Sequence, residues 1–569
     1  MPALVERRND ALNNTGKILF RNPVPFFIVF WALLNLLQIA FTELTSDEGY
    51  YWFYAQHLQW GYYDHPPMIA AMIKAGSKLF GGTIGVRAFN VVLSTAGLSL
   101  FFQLIPEELK RSPKTYWVLL SAPLLHYLTF LVFPDGPLLF FSLAFLVLYK
   151  RFLVKKNFET SLLLGLSIAL MAYSKYHGAL VLLFTIIANP RLLKSAYFYL
   201  ALFVAAILFA PHLWWQYKND FPTLKYHLSG RTGTWSFKHV GEYVSQQIFA
   251  IGPGLIFLPF VVKTKDVFER TLKFIIIGTL LFFLVSSFKT FVHFHWTSIA
   301  LYPLLYFAVR YYNNPAHKKL FNALILPFVV LFFVARILLM LPLIPNMHVG
   351  EDYYHGRKTW AEEVKSLADN RPVFMPDNLR EASLYSFYSG GQGVTLYTRP
   401  GKKSQYELWG YEDSLQGKDV LFLSKYPYTG GMKTSLLNKD FYYGVVSSFQ
   451  SYYNGIAVTA SVDAVTADTL KATVNLFNQT SRMIAFQKND SAGYTGIAYS
   501  IEQARNVLKA DAALPLKAAD NLAPGATITK TIRIPIQDVP QGDYEIYFGI
   551  RSGVLPDAIL SEGLPFIKK

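Results

Sequence analysis

The first ~345 residues carry apolar stretches of roughly 16 to 22 residues that recur between short basic segments, and few folds accommodate such a pattern. A run of about 20 apolar residues is what crosses a bilayer core as a helix. Spans are expected near 24–42, 83–104, 115–133, 137–149, 160–174, 178–189, 195–213, 246–262, 272–288, 297–310 and 319–343. Only 16% of the 569 residues are charged, against about 25% in soluble domains. The expected architecture is a polytopic α-helical membrane domain of about eleven helices.

Charge then orients the spans. Arg7, Arg8, Lys17 and Arg21 precede the first span, and Lys110, Arg111 and Lys114 follow the second. Further basic clusters come at Lys150–Lys156, Arg191–Lys194, Lys263–Lys273 and Lys318–Lys319. Cytoplasmic loops hold such residues, so the N-terminus is expected inside and the C-terminus outside, in the inner (cytoplasmic) membrane. The net charge of +16 is therefore read as topology. With the basic residues scattered beside spans, and no basic patch interleaved with stacking aromatics, nucleic acid is not expected as a partner. Met1–Asn22 is polar and basic and no small-residue cleavage site follows the first span, so that span is expected to be retained. The absence of cysteine excludes disulfides, thiolate metal sites and a Cys nucleophile.

After Pro345 the composition becomes that of a soluble domain. Residues 346–440 alternate helix (Thr359–Ala368), strand (Pro372–Met375), helix (Leu379–Tyr388) and strands near Val394–Tyr397 and Val420–Ser424, as in a small α/β domain. From 441 to 569, alternating β-branched runs such as TLKATVNLF and ATITKTIRIPI are separated by turns such as PQGD. That pattern predicts an Ig-like β-sandwich. Both domains are expected outside the cytoplasm.

Two outer loops are rich in aromatic and ionisable residues. In the first, roughly 43–82, Tyr50, Tyr51, Phe53, Tyr54, His57 and Leu58 recur at helical spacing, which predicts an amphipathic helix lying at the membrane surface. Thr45-Ser46-Asp47-Glu48 at its start fits a capping box, with Glu three residues after the cap. It also puts two carboxylates at the water–lipid boundary, where a lipid-borne substrate is within reach. Both roles are compatible, with Glu48 capping and Asp47 pointing into a site. Asp64-His65-Pro66-Pro67 follows, and Asp135 opens a span after Pro134. Asp is a good helix cap, yet an ionisable group near the lipid interior is also a functional candidate. Lys175, with His177 in the same SKYHG segment, and Lys289, His293 and His295 in FKTFVHFHWT stand at outer ends of spans. Singly each reads as an interfacial anchor; together, acidic and basic groups on one face suit phosphate handling. The i, i+2 spacing of His293 and His295 argues against a metal pair. No complete metal-ligand set is visible, although the carboxylates leave a divalent ion open. The second loop, roughly 211–245, carries Arg231 among further aromatic residues.

These motifs resemble the GT-C membrane glycosyltransferases, and within them the protein O-mannosyltransferase and aminoarabinose (lipid A) transferase branch. The resemblance rests on the acidic pair after the first span, Tyr63-x-x-Pro66-Pro67, and Pro134-Asp135-x-Pro137-Leu138. RKTWAEEVKSL and KKSQYELWGY extend it into the α/β region. It implies an extracytoplasmic site, a polyprenyl-phosphate-linked hexosyl or pentosyl donor, and inverting transfer to a protein, lipid or glycan. By motif Asp47 corresponds to the catalytic acid residue, Glu48 to its partner and Asp135 to the second acidic position. On that mechanism Asp47 takes the acceptor proton, while His65, Lys175, Lys289, His293 and His295 bind the donor phosphate. Tyr51, Asp64 and Arg231 are expected as acceptor or loop contacts. His65 stands where the aminoarabinose branch has Lys, a departure that weighs against aminoarabinose and lipid A as substrates. A transporter or a membrane-anchored envelope-assembly protein would share the span count. The first would show broken spans in matched halves; the second leaves the acidic first loop without a purpose.

Overall fold

The computed structural model describes residues 22–569 apart from 229–234, 346, 350–351, 400–401, 438, 487–494 and 505. Contacts divide the chain into two units, Met1–His355 and Gly356–Lys569.

The first unit is a multi-pass helical membrane domain. Among the described residues, five of its helices are long and apolar enough to cross a bilayer: Val24–Phe41 (α1), Gly82–Leu104, Asp135–Val154, Ala196–Lys218 and Pro315–Met340. In α1 the buried residues Phe27, Trp31, Asn35, Gln38 and Ile39 form one stripe, and the remaining apolar surface suits lipid. Ser46–Tyr54 (α2) and Met68–Leu79 (α3) fill the first outer loop ahead of Gly82–Leu104 (α4).

Several spans differ from the expected single helices. Residues 115–133 split into Pro113–Leu120 (α5) and Pro123–Phe130 (α6), because Pro123 cannot continue a helix hydrogen-bond ladder but starts a new one well. Asp135–Val154 (α7) runs past the 137–149 expected for it. It is followed by Phe158–Ser174 (α8), Gly178–Ala188 (α9) and Ala196–Lys218 (α10). The 246–262 stretch is broken into Phe237–Ile251 (α11) and Pro253–Val261, bent by 95°. Gly252 at the corner has φ +92°, a conformation that favours glycine. Val267–Ser287 (α12) precedes a 3₁₀ turn, Phe294–Ala300, then Leu301–Asn313 (α13) and Leu326–Met340 (α14).

The α2 helix is also not an interfacial one. Tyr50, Tyr51, Phe53 and Tyr54 are buried, while Leu58 and Trp60 beyond its end are exposed. Tyr54 stacks on Tyr62 at 4.4 Å and packs on Tyr50 at 4.6 Å. The aromatic periodicity marks burial inside the protein, the other way in which a helix hides an apolar face.

In the second unit, Arg357–Ala368 (α15) and Leu379–Ser389 (α16) accompany a five-stranded sheet. Its order is β2-β1-β3-β5-β4, from Val373–Phe374 (β1), Gly393–Val394 (β2), Val420–Ser424 (β3), Met432–Leu436 (β4) and Lys439–Val446 (β5). The β1 strand pairs in parallel with β2 and β3, and β5 pairs antiparallel with β3 and β4. Strand β5 carries this sheet past residue 440, the expected end of the α/β domain. Next come Ile456–Val465 (β6), Thr469–Asn478 (β7), Thr495–Gln503 (β8), Asn506–Pro515 (β9), Thr527–Pro535 (β10), Gly542–Ser552 (β11) and Leu564–Lys568 (β12). They form one sheet in the order β10-β7-β6 and another built on β9-β8-β11, with β12 on β11. Alternate residues Leu470, Ala472, Val474 and Leu476 of β7 share one hydrophobic core with Ile497, Tyr499 and Ile501 of β8 and Ile546, Phe548 and Ile550 of β11, the period-2 pattern of strands with one buried face.

Candidate active site

Glu48 reaches back from the first turn of α2 to the Thr45 N–H at 2.9 Å, the capping-box contact. It does more than cap. Arg87 on α4 grips it bidentately, Nε to Oε1 at 2.7 Å and Nη2 to Oε2 at 2.6 Å. The Val132 N–H donates to Oε1 at 2.9 Å. Both side chains are fully buried, and Arg87 also donates to the carbonyls of Thr42 and Glu43. Removing one member of such a pair leaves a stranded charge, worth about 3–5 kcal/mol. With its oxygens spent, Glu48 fixes the loop that presents Asp47. Arg87 was not legible as its partner, since 39 residues separate them.

Asp47, by contrast, is half-buried. Tyr127 on α6 lies within electrostatic reach of Asp47, Glu48 and Asp352. Asp352 comes from a two-residue ladder, His348–Val349 against Asp352–Tyr353, and accepts from the Ser46 N–H at 3.0 Å. Burial first, then the charges of Asp352 and Glu48, raises the Tyr354 phenol pKa. Tyr127 and Asp352 carried no motif, so only the fold brings them here.

Asp135 is buried at the start of α7, paired with Lys175 Nζ at 2.7 Å. Ser298 Oγ donates to its other oxygen at 3.0 Å, and His295 Nε2 stands 3.7 Å away. Gly136 follows because space requires it: a Cβ there would fall 2.3 Å from Asn90 Oδ1. Lys175 also lies 5.7 Å over the Trp296 ring, and the His293 and His295 rings are 5.5 Å apart. His177, between two spans, has its pKa lowered by burial first and then by Lys175, His227, His295 and His65. One cluster of basic side chains thus gathers His65, Lys175, His177, His227, His293 and His295. Tyr127 links it to Asp47, its ring 6.3 Å from that of His295.

The Asp64–His65 corner closes this cluster. Tyr51 Oη lies 3.4 Å from His65 Nε2, Tyr54 donates to the Asp64 carboxylate, and Asp64 Oδ2 is 3.9 Å from His65. Burial and then Asp64 raise the Tyr54 phenol pKa. Lys289 is not drawn in: it is exposed and lies 5.7 Å over Trp235. Arg231 lies outside the described residues. His227 is a cluster member that the sequence reading passed over. Among the described residues no group of three His, Cys, Asp or Glu side chains is placed to hold a metal ion.

A cavity of about 680 Å³ opens beside Tyr127 and Asp352. Its walls are largely apolar, from Phe130, Phe249, Phe332 and Leu338 among others, with Arg336 and His126 at one side. This pairing of a carboxylate, a lysine–histidine cluster and an apolar cavity suits a reaction between a phosphate-bearing lipid and a second substrate.

Comparison with known proteins agrees with the motifs. Residues 64–215 match the family described as dolichyl-phosphate-mannose-protein mannosyltransferase. A lipid A galacturonosyltransferase, RgtD of Rhizobium johnstonii, is 28% identical over 250 residues, 40% of this chain and 50% of the relative; the match thus spans half the length of that curated relative. Among solved structures, apo ArnT from Cupriavidus metallidurans superposes with a TM-score of 0.54 at 12% identity, covering 76% of this chain and 98% of ArnT. The same protein bound to undecaprenyl phosphate gives 0.53 at 11% identity, covering 75% and 99%. The resemblance to the GT-C membrane glycosyltransferases stands, and the fold is the one seen in ArnT.

Proposed function

We propose that this chain is a glycosyltransferase that moves a sugar from a polyprenyl-phosphate donor to an acceptor on the outer face of the membrane. The observation that carries the reading is the convergence of Asp47, by way of Tyr127, on the cluster of Lys175, His65, His177 and His295. Transfer needs a base for the acceptor hydroxyl and positive groups for the departing phosphate. Asp47 takes the proton as the acceptor oxygen attacks the anomeric carbon from the face opposite the phosphate. The bond from that carbon to the carrier phosphate breaks, and the phosphate leaves on the Lys175 and histidine groups with inversion at the carbon. Asp135 holds Lys175 in place, and Glu48 with Arg87 holds the Asp47 loop. ArnT was solved with undecaprenyl phosphate, which supports a donor of that class, and RgtD is named for lipid A, which supports a lipid acceptor. The proposal includes a cytoplasmic N-terminus, an extracytoplasmic C-terminal unit and eleven crossings, with α8, α9 and other short apolar helices completing the count. It also includes an Ig-like sandwich built from the two sheets of β6–β12.

The test is Asp47→Asn in protein reconstituted with an envelope lipid extract. Transfer should fall by at least about 10³-fold, while binding of undecaprenyl phosphate stays within about twofold of wild type. Near-normal turnover in the variant would remove Asp47 from the base role.

A further inference from the structure

Among the described residues of the first unit, the buried charges obey a rule with a single exception. Arg87 is paired with Glu48, Lys175 with Asp135, and Glu269 with Arg310. Arg336 on α14 is equally buried, yet its hydrogen-bond partners are all neutral. Its Nε donates to His126 Nδ1 at 2.8 Å, and its Nη2 to Asn35 Oδ1 at 3.0 Å. Nη2 also approaches the Thr129 Oγ1 and His126 carbonyl oxygens at 3.4 Å, and Nη1 reaches Gln38 Oε1 at 3.5 Å. The guanidinium lies over the rings of Trp31 and Phe130 at 5.4 and 5.1 Å. A buried cation without a carboxylate is costly in an apolar setting. These neutral dipoles orient it but leave its charge uncompensated.

The cavity supplies the place for the missing anion. Arg336 and His126 line it together with Phe130, Phe332, Tyr127 and Asp352, and Phe249 on its wall is exposed. Arg336 sits four residues before the end of α14, about 6 Å along the axis. Asp352, which also lines the cavity, accepts from the backbone N–H of Ser46, the residue before Asp47. The cavity is therefore lined by an unpaired cation and by a carboxylate bonded to the residue before the proposed base.

We propose that this cavity holds the acceptor, that the acceptor is a lipid with a phosphate-bearing headgroup, and that Arg336 anchors that phosphate while the hydroxyl to be glycosylated faces Asp47. This rests on the transferase reading above and names its acceptor class. Arg336 acts as a specificity-determining residue, since a neutral lipid would leave its charge stranded.

The purified full chain in detergent is tested for retention of radiolabelled dioleoyl phosphatidate against phosphate-free dioleoylglycerol, with undecaprenyl phosphate measured in parallel. Phosphatidate should be preferred by about tenfold or more, as charge-assisted hydrogen bonds imply. Arg336→Met should abolish that preference and Arg336→Lys should keep most of it, with undecaprenyl phosphate binding unchanged in both. Equal binding of the two lipids by the wild type would overturn the proposal. So would Arg336→Met lowering undecaprenyl phosphate binding in step with phosphatidate, because the cation would then serve the donor. If Arg336→Met does not fold, Ala335→Phe fills the cavity wall and leaves the guanidinium in place. Phosphatidate binding should then fall, and its retention overturns the site. Because every readout is binding, a protein that passes these tests and transfers no sugar defeats the function proposed above and not this lipid site.

Discussion

Glu48 spends its oxygens on Arg87, Thr45 and the Val132 N–H, whereas the neighbouring Asp47 keeps a half-buried position facing Tyr127. The capping box was legible because it is local: four consecutive residues specify it. Arg87 was not, since nothing at position 87 announces a partner at 48. Arg87→Met should destabilise the chain by about 3–5 kcal/mol, read as a lowered unfolding temperature in detergent; an unchanged temperature would show that the pair contributes nothing. In the second unit, burial raises the Glu412 pKa to about 7, although Ser451 and the N–H groups of Tyr453 and Asn454 donate to it. The folded state then holds a proton that the unfolded chain releases near 4.5. This group's stabilising contribution is full below pH 4.5 and is lost as pH rises through 7, on the order of 3 kcal/mol in all. Glu412→Gln should flatten the pH dependence of unfolding between pH 4.5 and 8, and an identical slope in the variant would contradict the assignment.

Elements were read well where one period governs a segment. The strand at 420–424 and the helices near 359–368 and 379–388 stand within two residues of their expected ends, because alternation and amphipathic spacing are local signals. Hydrophobicity is a weaker guide to continuity. The stretches at 115–133 and 246–262 looked like uniform spans, yet Pro123 and Gly252-Pro253 break them. Those breaks have a use, for α6 and α11 wall the cavity through Tyr127 and Phe249. The aromatic run of α2 was legible as a helix but not as a buried one, since spacing does not say whether lipid or protein covers the face. Element packing also fixes Asp135. Gly136→Ala puts a methyl group 2.3 Å from Asn90 Oδ1, and overpacking of this kind costs about 1–3 kcal/mol. The variant should lower the unfolding temperature and reduce transfer at least about tenfold by shifting the start of α7. Unaltered turnover would mean that the position of Asp135 is not critical.

The whole molecule combines a membrane domain, read from composition and basic clusters, with a second unit read from strand alternation. Its candidate site was legible only in part. Short motifs supplied Asp47, Asp135 and His65, while Tyr127, Asp352 and Arg336 come from segments without motifs and meet only in the fold. Sidedness has a direct check, because the chain contains no cysteine and single cysteines report without background. Gln56→Cys should react with an impermeant maleimide from outside, and Thr264→Cys only after permeabilisation. Reaction of both from one side would defeat the topology. The central claim, sugar transfer from a polyprenyl-phosphate carrier, is tested most directly by mass spectrometry of envelope lipids and glycoproteins from a deletion strain complemented with wild type or Asp47→Asn. The account predicts that the deletion and Asp47→Asn strains accumulate a sugar-charged polyprenyl phosphate and lose one glycosylated product that the wild type restores. Indistinguishable profiles in all three strains would contradict it.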